Sequence, residues 1–231
     1  MKKLVLSMIA ILGMSSTLFA QEANNSKETD YKKWQVRLRG VGVIPNPSAK
    51  IGTIGGGVDI STTFIPELDF TYFFTKNIAA ELILGTSKHK VHTTGSNLTA
   101  VGLPNNVDVD LGSVMLLPPT LTAQYHFYPG EGAFAKPYVG AGINYTIFYN
   151  VKSGNMIKDV KYENRAAFAL QAGSDFNIGK DFFVNVDVKY LFLKTDVTVD
   201  ASNLVNGNTL DIPAEVKINP LLVGVGVGYR F

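Results

Sequence analysis

The chain has 231 residues, 21 basic against 19 acidic side chains for a formal net charge of +2, 46% hydrophobic residues, 22 glycines and no cysteine. So small a net charge supplies no field to draw in nucleic acid. The missing cysteines exclude disulfides, thiolate nucleophiles and cysteine metal sites together.

At the start, Lys2 and Lys3 precede an apolar run from Leu4 to Met14, followed by Ser15, Ser16, Thr17 and Ala20. This is the pattern of a secretory signal peptide, so residues 1–20 are expected to be removed and the mature domain, 21–231, to begin near Gln21. Leu18, at the third position before the cut, suits a signal peptidase less well than alanine would. The competing reading is an uncleaved anchor helix, which needs ~20 apolar residues, more than this run contains. Loss of Lys2 and Lys3 leaves 19 basic against 19 acidic side chains.

From Trp34 the apolar period is two. Trp34, Val36 and Leu38 alternate with Gln35, Arg37 and Arg39, the pattern of a strand with one apolar face. The stretch Glu67 to Phe74 sets Leu68, Phe70, Tyr72 and Phe74 against Glu67, Asp69 and Thr71. After a break at Thr75, Lys76 and Asn77, a third segment from Ile78 to Gly85 sets Ala80, Leu82 and Leu84 against Glu81. A fourth, Leu117 to Tyr128, ends at a turn signalled by Pro129 and Gly130. A fifth, Pro137 to Tyr149, carries Gly140 and Gly142 on its polar face, where glycine leaves room for bulkier neighbours in a tight barrel. The sixth, Arg165 to Phe176, the seventh, Phe182 to Leu193, and the eighth, Val216 to Phe231, alternate in the same way.

The connections alternate too. Short turns join strands two to three, four to five and six to seven, and long polar segments occupy the regions around 44–66, 86–116, 150–164 and 194–215. This predicts an all-β fold, an eight-stranded antiparallel transmembrane β-barrel with short periplasmic turns and long extracellular loops in the cell outer membrane. A soluble lipocalin-like barrel would alternate as well, with the apolar face inward. Charges in the middle of the strands' minority face and aromatic residues gathered toward strand ends favour the membrane version. The final strand ends on Phe231, with Tyr229 on the same apolar face. That ending is read as the signal recognised by the barrel-assembly machinery, and periplasmic chaperones would carry the unfolded chain there.

If odd strands rise from the periplasm and even ones descend, each inward residue acquires a height. The periplasmic half then holds a polar plug of Arg37, Arg39, Asp69, Glu81, Gln124 and His126, continued by Asp175, Asp187, Lys189 and Arg230, with Thr71, Asn144, Gln171 and Asn185 among them. Four cations face four carboxylates, with His126 taken as neutral. The extracellular half becomes apolar: Val41, Val43, Ile83, Leu116 and Pro118, then Phe148, Ala167, Leu191, Leu193 and Leu222. An eight-stranded barrel has room inside for side chains or one small ligand and not for a wide aqueous pore. Two readings of the upper residues stand: filler of the upper core, or a site for a small hydrophobic ligand that enters from outside, is stopped by the plug and leaves sideways into lipid.

Several stretches together resemble the OmpW family of outer-membrane proteins across essentially the whole mature chain. They are Trp34 to Gly40 followed by Pro45; Leu117, Pro118, Pro119, Thr120 and Leu121 leading to Tyr125, His126 and Phe127; Pro137, Tyr138, Val139, Gly140, Ala141, Gly142, Asn144 and Tyr145; Gln171 to Phe176; and Tyr229, Arg230, Phe231. The resemblance implies an eight-stranded barrel whose hydrophobic channel ends at a polar constriction, and a part in moving small hydrophobic compounds across the outer membrane by lateral exit. Outer-membrane lipid and lipopolysaccharide are the expected surroundings. The alternative function is a structural or adhesive barrel whose long loops bind envelope or host components.

Chemistry is sparse. His89 and His92 fall in the second long loop beside Lys88 and Lys90, where a loose metal site or a lipopolysaccharide phosphate contact is conceivable. Two histidines three apart without a fixed carboxylate are weak metal ligands, and a solvated loop is the expectation. His126 points inward with no serine at its height, since Ser174 faces lipid on another strand, so no catalytic triad is expected. The glycines at Gly55 to Gly57 precede no helix and cradle no phosphate. Neither an enzyme, a metal, nor a cofactor is expected.

Overall fold

A computed structural model describes residues 31–231 apart from 53, 103, 128, 129, 131 and 206–208. The predicted signal peptide at 1–20 lies outside the described residues, as does Pro129 of the predicted turn. The strands in chain order are β1 (Trp34–Ile44), β2 (Ser48–Ile51), β3 (Gly57–Ile60), β4 (Thr63–Phe73), β5 (Ile78–Gly85), β6 (Ser87–Thr94), β7 (Asp110–Leu117), β8 (Thr120–His126), β9 (Ala135–Lys152), β10 (Asp159–Tyr162), β11 (Arg165–Asn177), β12 (Phe182–Phe192), β13 (Lys194–Asp200), β14 (Asp211–Lys217) and β15 (Leu221–Arg230).

Eight of them close an antiparallel barrel in the order β11-β12-β15-β1-β4-β5-β8-β9, with β9 pairing back onto β11. Closure leaves no open edge in lipid, where unpaired backbone groups would go unsatisfied. The alternation dictates which face points out. Leu38, Phe70, Leu82, Leu121, Phe168, Val186 and Val225 are exposed on the outer wall, whereas Arg37, Asp69, Glu81 and Asp175 are shut off from solvent inside. At the short-turn end, aromatic rings touch along the wall, Trp34 with Tyr72 at 4.9 Å between centroids and Phe182 with Tyr229 at 4.8 Å, forming an interfacial girdle.

The regions expected as long loops carry further strands beyond the eight of the barrel. β2, β10, β13 and β14 form a four-stranded sheet in the order β10-β13-β14-β2, and β3, β6 and β7 continue from the upper part of β9. β9 alone has 18 residues, roughly 60 Å of extended chain at ~3.4 Å per residue, against the ~9–11 residues that cross a bilayer. The wall therefore rises well beyond the membrane.

The polarity of the two faces inverts at that level. Along β5 and β6 the outward residues pass from Leu82 and Leu84 to the exposed Lys88 and Lys90, while the inward ones pass from Glu81 to Ile83, His89 and Val91. Along β12 and β13 the outward set changes from Val186 and Val188 to Lys194 and Asp196, and the inward set from Asp187 and Lys189 to Leu193, Val197 and Val199. Lipid outside demands an apolar outer face; water outside demands a polar one and hands the apolar face to the interior.

Two interruptions mark the wall. Pro118 and Pro119 part the predicted fourth strand into β7 and β8, since proline has no N–H for the ladder. Ile83 still pairs with Thr120 and Ser87 with Leu116, but the residues between them do not. Higher up, β9 beyond Thr146 pairs with β7, and β10 pairs with β13, so the described residues show no ladder between β9 and β10. Phe148 and Tyr162 stack across that seam, 5.3 Å between centroids and 14° between planes.

Candidate functional site: a dead-ended apolar chamber

The lower lumen is filled by charge. β1 sets Arg37 opposite Asp69 and Arg39 opposite Glu67 on β4, and strand alternation aims all four inward. Arg37 Nη1 lies 2.6 Å from Glu81 Oε1 and 3.2 Å from Asp69 Oδ1, and its Nη2 lies 3.4 Å from Asp175 Oδ2. Arg39 Nη2 sits 2.9 Å from both Glu67 Oε1 and Asp69 Oδ2, and Arg39 Nη1 is 3.4 Å from Asp187 Oδ1. Arg230 Nη2 reaches Asp175 Oδ2 at 2.9 Å.

Neutral groups tie the remaining lone pairs. Gln124 Nε2 donates to Glu81 Oε2 at 2.7 Å, Gln171 Nε2 donates to Glu81 Oε2 and Asp187 Oδ2 at 2.8 Å each, and His126 Nε2 lies 2.9 Å from Gln124 Oε1. Buried charges survive only with such partners. All ten plug residues expected from the sequence therefore meet in one network, Lys189 through Glu67 at its upper edge, 3.3 Å away.

Two features of the plug escape the sequence reading. Glu67, which the alternation sets on the polar face but which is not among the expected plug residues, is a fifth buried carboxylate, so the expected balance of four against four becomes four cations against five. Tyr138, Phe183 and Phe73 point inward and seal the short-turn end, with Tyr138 Oη donating to Asp187 Oδ2 at 2.7 Å and Arg230 lying 4.2 Å over the Phe183 ring. Their parity matches that of Gly140, Asn185 and Thr71.

Glycine makes this seal possible. A Cβ at Gly228 would lie 2.1 Å from Phe183 Cζ, and one at Gly173 would lie 2.5 Å from Tyr138 Oη. Both rings occupy space that any side chain on the neighbouring strand would fill.

Above the plug the lumen opens into a chamber. Val43, Ile83, Leu116, Pro118, Phe148, Leu191, Leu193 and Leu222 all line it, and Val41 is buried in the wall without reaching the cavity. Val91, Leu111, Val114, Val197, Ile212 and Val216 of the extension line it as well. All but Val216, the first residue of the predicted eighth strand, fall in regions expected as loops, and the signal that could have found them is their alternation in opposite phase to the lipid-facing residues. Near the top, Leu98, Ile157, Ala201 and Leu204 close in from the hairpin ends. The chamber has a cavity volume of about 100 Å³.

His89 corrects its expectation. It is buried on β6 and faces the chamber, since its parity follows Ile83, while His92 stays on the outside, 3.3 Å from Asp59. His89 Nδ1 donates to the Ser61 carbonyl at 2.7 Å, which leaves Nε2 to accept from Ser87 Oγ at 3.1 Å. Burial lowers the imidazole pKa, partly offset by the Ser61 carbonyl. No group of side chains fit to hold a metal occurs among the described residues.

Comparison with known proteins follows the same outline. The OmpW family model matches residues 32–231. An uncharacterized outer-membrane protein of Sinorhizobium fredii (strain NBRC 101917 / NGR234) is 45% identical over 86% of this chain and 80% of its own length. Outer membrane protein W of Escherichia coli (strain K12) is 30% identical over the full length of both. The crystal structure of the outer membrane protein OprG from Pseudomonas aeruginosa superposes with a TM-score of 0.76, at 23% identity, covering 87% of this chain and 96% of that one, and shows the same fold.

Proposed function

The chain belongs to the OmpW family and is a cell outer-membrane barrel, not an enzyme, and on that premise we propose that it passes small hydrophobic molecules from the outside into the membrane. The observation that carries the reading is the dead end. An apolar chamber open toward the extension stops at a packed ionic network. An apolar solute that enters gains from burial there and has no path through the charges below, whose separation would expose unpaired ions.

The remaining way out is sideways. The break at Pro118 and Pro119 supports it, because Pro118 lines the chamber while the neighbouring Leu117 and Leu84 are exposed on the lipid face. The Pro118 and Pro119 carbonyls face the Asn144 amide, whose Nδ2 donates to them at 3.0 and 3.4 Å. These contacts, with the Tyr145 N–H donating to the Pro119 carbonyl at 3.0 Å, hold the two prolines to β9, so the gap in the ladder lies on the β5/β6 side.

The test is uptake by cells whose outer membrane carries the protein, comparing a small hydrophobic compound with a small sugar. Selective uptake of the hydrophobic compound, lost in Leu191→Arg at normal expression, is the expected result. Undiminished uptake in a folded Leu191→Arg barrel defeats the proposal and turns attention to the extension as an adhesive surface.

A further inference from the structure

The polar groups lining the chamber are not equivalent. Ser87, His89, Thr120, Thr146 and Thr195 each donate a proton to a protein acceptor: Ser87 to His89, His89 to the Ser61 carbonyl, Thr120 to the Pro118 carbonyl, Thr146 to Asn144 Oδ1 and Thr195 to the Glu163 carbonyl. The donor protons of these five are spent on the wall. Lys189 differs. Its ammonium carries three N–H groups, it is buried, and among the described residues it reaches only the Glu67 carboxylate, at 3.3 and 3.4 Å. Glu67 in turn is held by Arg39 at 2.9 Å. Both Lys189 and Glu67 line the chamber floor.

We infer that Lys189 and Glu67 form a head-group seat for an aliphatic molecule ending in a hydroxyl, whose tail lies in the apolar chamber above. This rests on the chamber being a ligand site, and it names the ligand class. A hydroxyl accepts from the unspent Lys189 N–H and donates to a free lone pair of Glu67, so it satisfies both at once. An alkane displaces water from the ammonium and returns no hydrogen bond, leaving a buried donor unpaired. A carboxylate would meet Lys189 too, but it adds a sixth negative group beside a network that already holds five carboxylates against four cations.

The test uses the full chain in lipid nanodiscs, with backbone amide resonances around Leu191 and Leu222 followed during titration with n-octane, 1-octanol or octanoate. Half-saturation at about tenfold lower concentration for octanol than for octane is expected, the size of one charge-assisted hydrogen bond, with octanoate weaker than octanol. In Lys189→Met with Glu67→Gln, which keeps the net charge of the network unchanged, the octanol-to-octane ratio is expected to fall to about one. Equal affinity for octane and octanol in the wild-type protein overturns the head-group seat and leaves the chamber intact as a site. Tightest binding of octanoate also overturns it, by making the ligand an anion. Absence of any shift with all three compounds removes the chamber as a ligand site and the inference with it. If the double variant does not fold, the wild-type comparison decides alone.

Discussion

Arg37 and Glu81 meet at 2.6 Å in the middle of the barrel, on strands that share a single neighbour, β4, with neither side chain reached by solvent. The contact is possible because an eight-stranded barrel is narrow enough for a side chain from one wall to reach another. Glu81 also receives Gln124 and Gln171, so the pair is the hub that links four walls of the lower lumen.

Removing one partner of that hub leaves the others charged and buried. Arg37→Met strands Glu81, Asp69 and Asp175, and is expected to lower the unfolding free energy in lipid or micelles by about 3–5 kcal/mol, read from urea titration. Arg37→Met combined with Glu81→Met recovers part of that loss. A single variant as stable as the wild type contradicts the reading of the network as the support of the lower barrel.

The Phe183 seal depends on an empty position across the ladder. Gly228→Ala places a methyl group 2.1 Å from Phe183 Cζ, so the ring or the backbone must move, at a cost of about 1–3 kcal/mol. The same urea titration measures it. Gly228→Ala with Phe183→Leu is expected to be more stable than Gly228→Ala alone, which a general effect of alanine on the strand would not produce.

His89 predicts a pH dependence outside the membrane. Its folded-state pKa lies below that of the unfolded chain because burial disfavours the charged ring. The unfolded or opened form therefore binds the proton more tightly, so stability is intact above the unfolded value and declines as pH falls through and below it. Amide protection factors on β6 and β7 are expected to drop between about pH 8 and about pH 5. In His89→Gln that drop is expected to disappear, and protection that falls equally in both proteins assigns the acid sensitivity to another group.

The proline break predicts a separation of entry from exit. Replacing Pro118 and Pro119 with alanine restores two N–H donors opposite β9 and β5/β6, which allows the ladder to run unbroken from β7 into β8. Uptake of a hydrophobic compound is expected to fall while its binding in the chamber persists. Uptake unchanged in a folded variant moves the exit elsewhere, the first place to look being the Phe148–Tyr162 seam.

How much of this was legible in the sequence differs from element to element. The alternation of Gln35, Arg37 and Arg39 with Val36 and Leu38 is local, and it specified both the strand and which residues share a face. That is why the ten residues expected in the plug meet in one network, and why eight of the ten apolar residues expected in the upper lumen line the chamber, Val41 and Ala167 being buried in the wall. Side-chain periods survive without knowledge of neighbours. Glu67, Phe183 and Tyr138 share the inward parity of Asp69, Asn185 and Gly140, but parity alone does not say that a side chain joins the network.

What the sequence by itself determined is the number of membrane strands, their faces and the two zones of the lumen, since lipid outside and charge inside impose a period of two that no loop obeys. Only the tertiary structure decided where each strand ends. Past Leu193 and past Leu84 the chain keeps the same backbone alternation, but the apolar residues change from the outward to the inward set, as Lys194 and Lys88 turn to water and Val197 and Val91 turn to the chamber. In one dimension that phase reversal reads as the end of a strand. The partner strands, supplied only by folding, show that the strand continues and that its surroundings have changed from lipid to water.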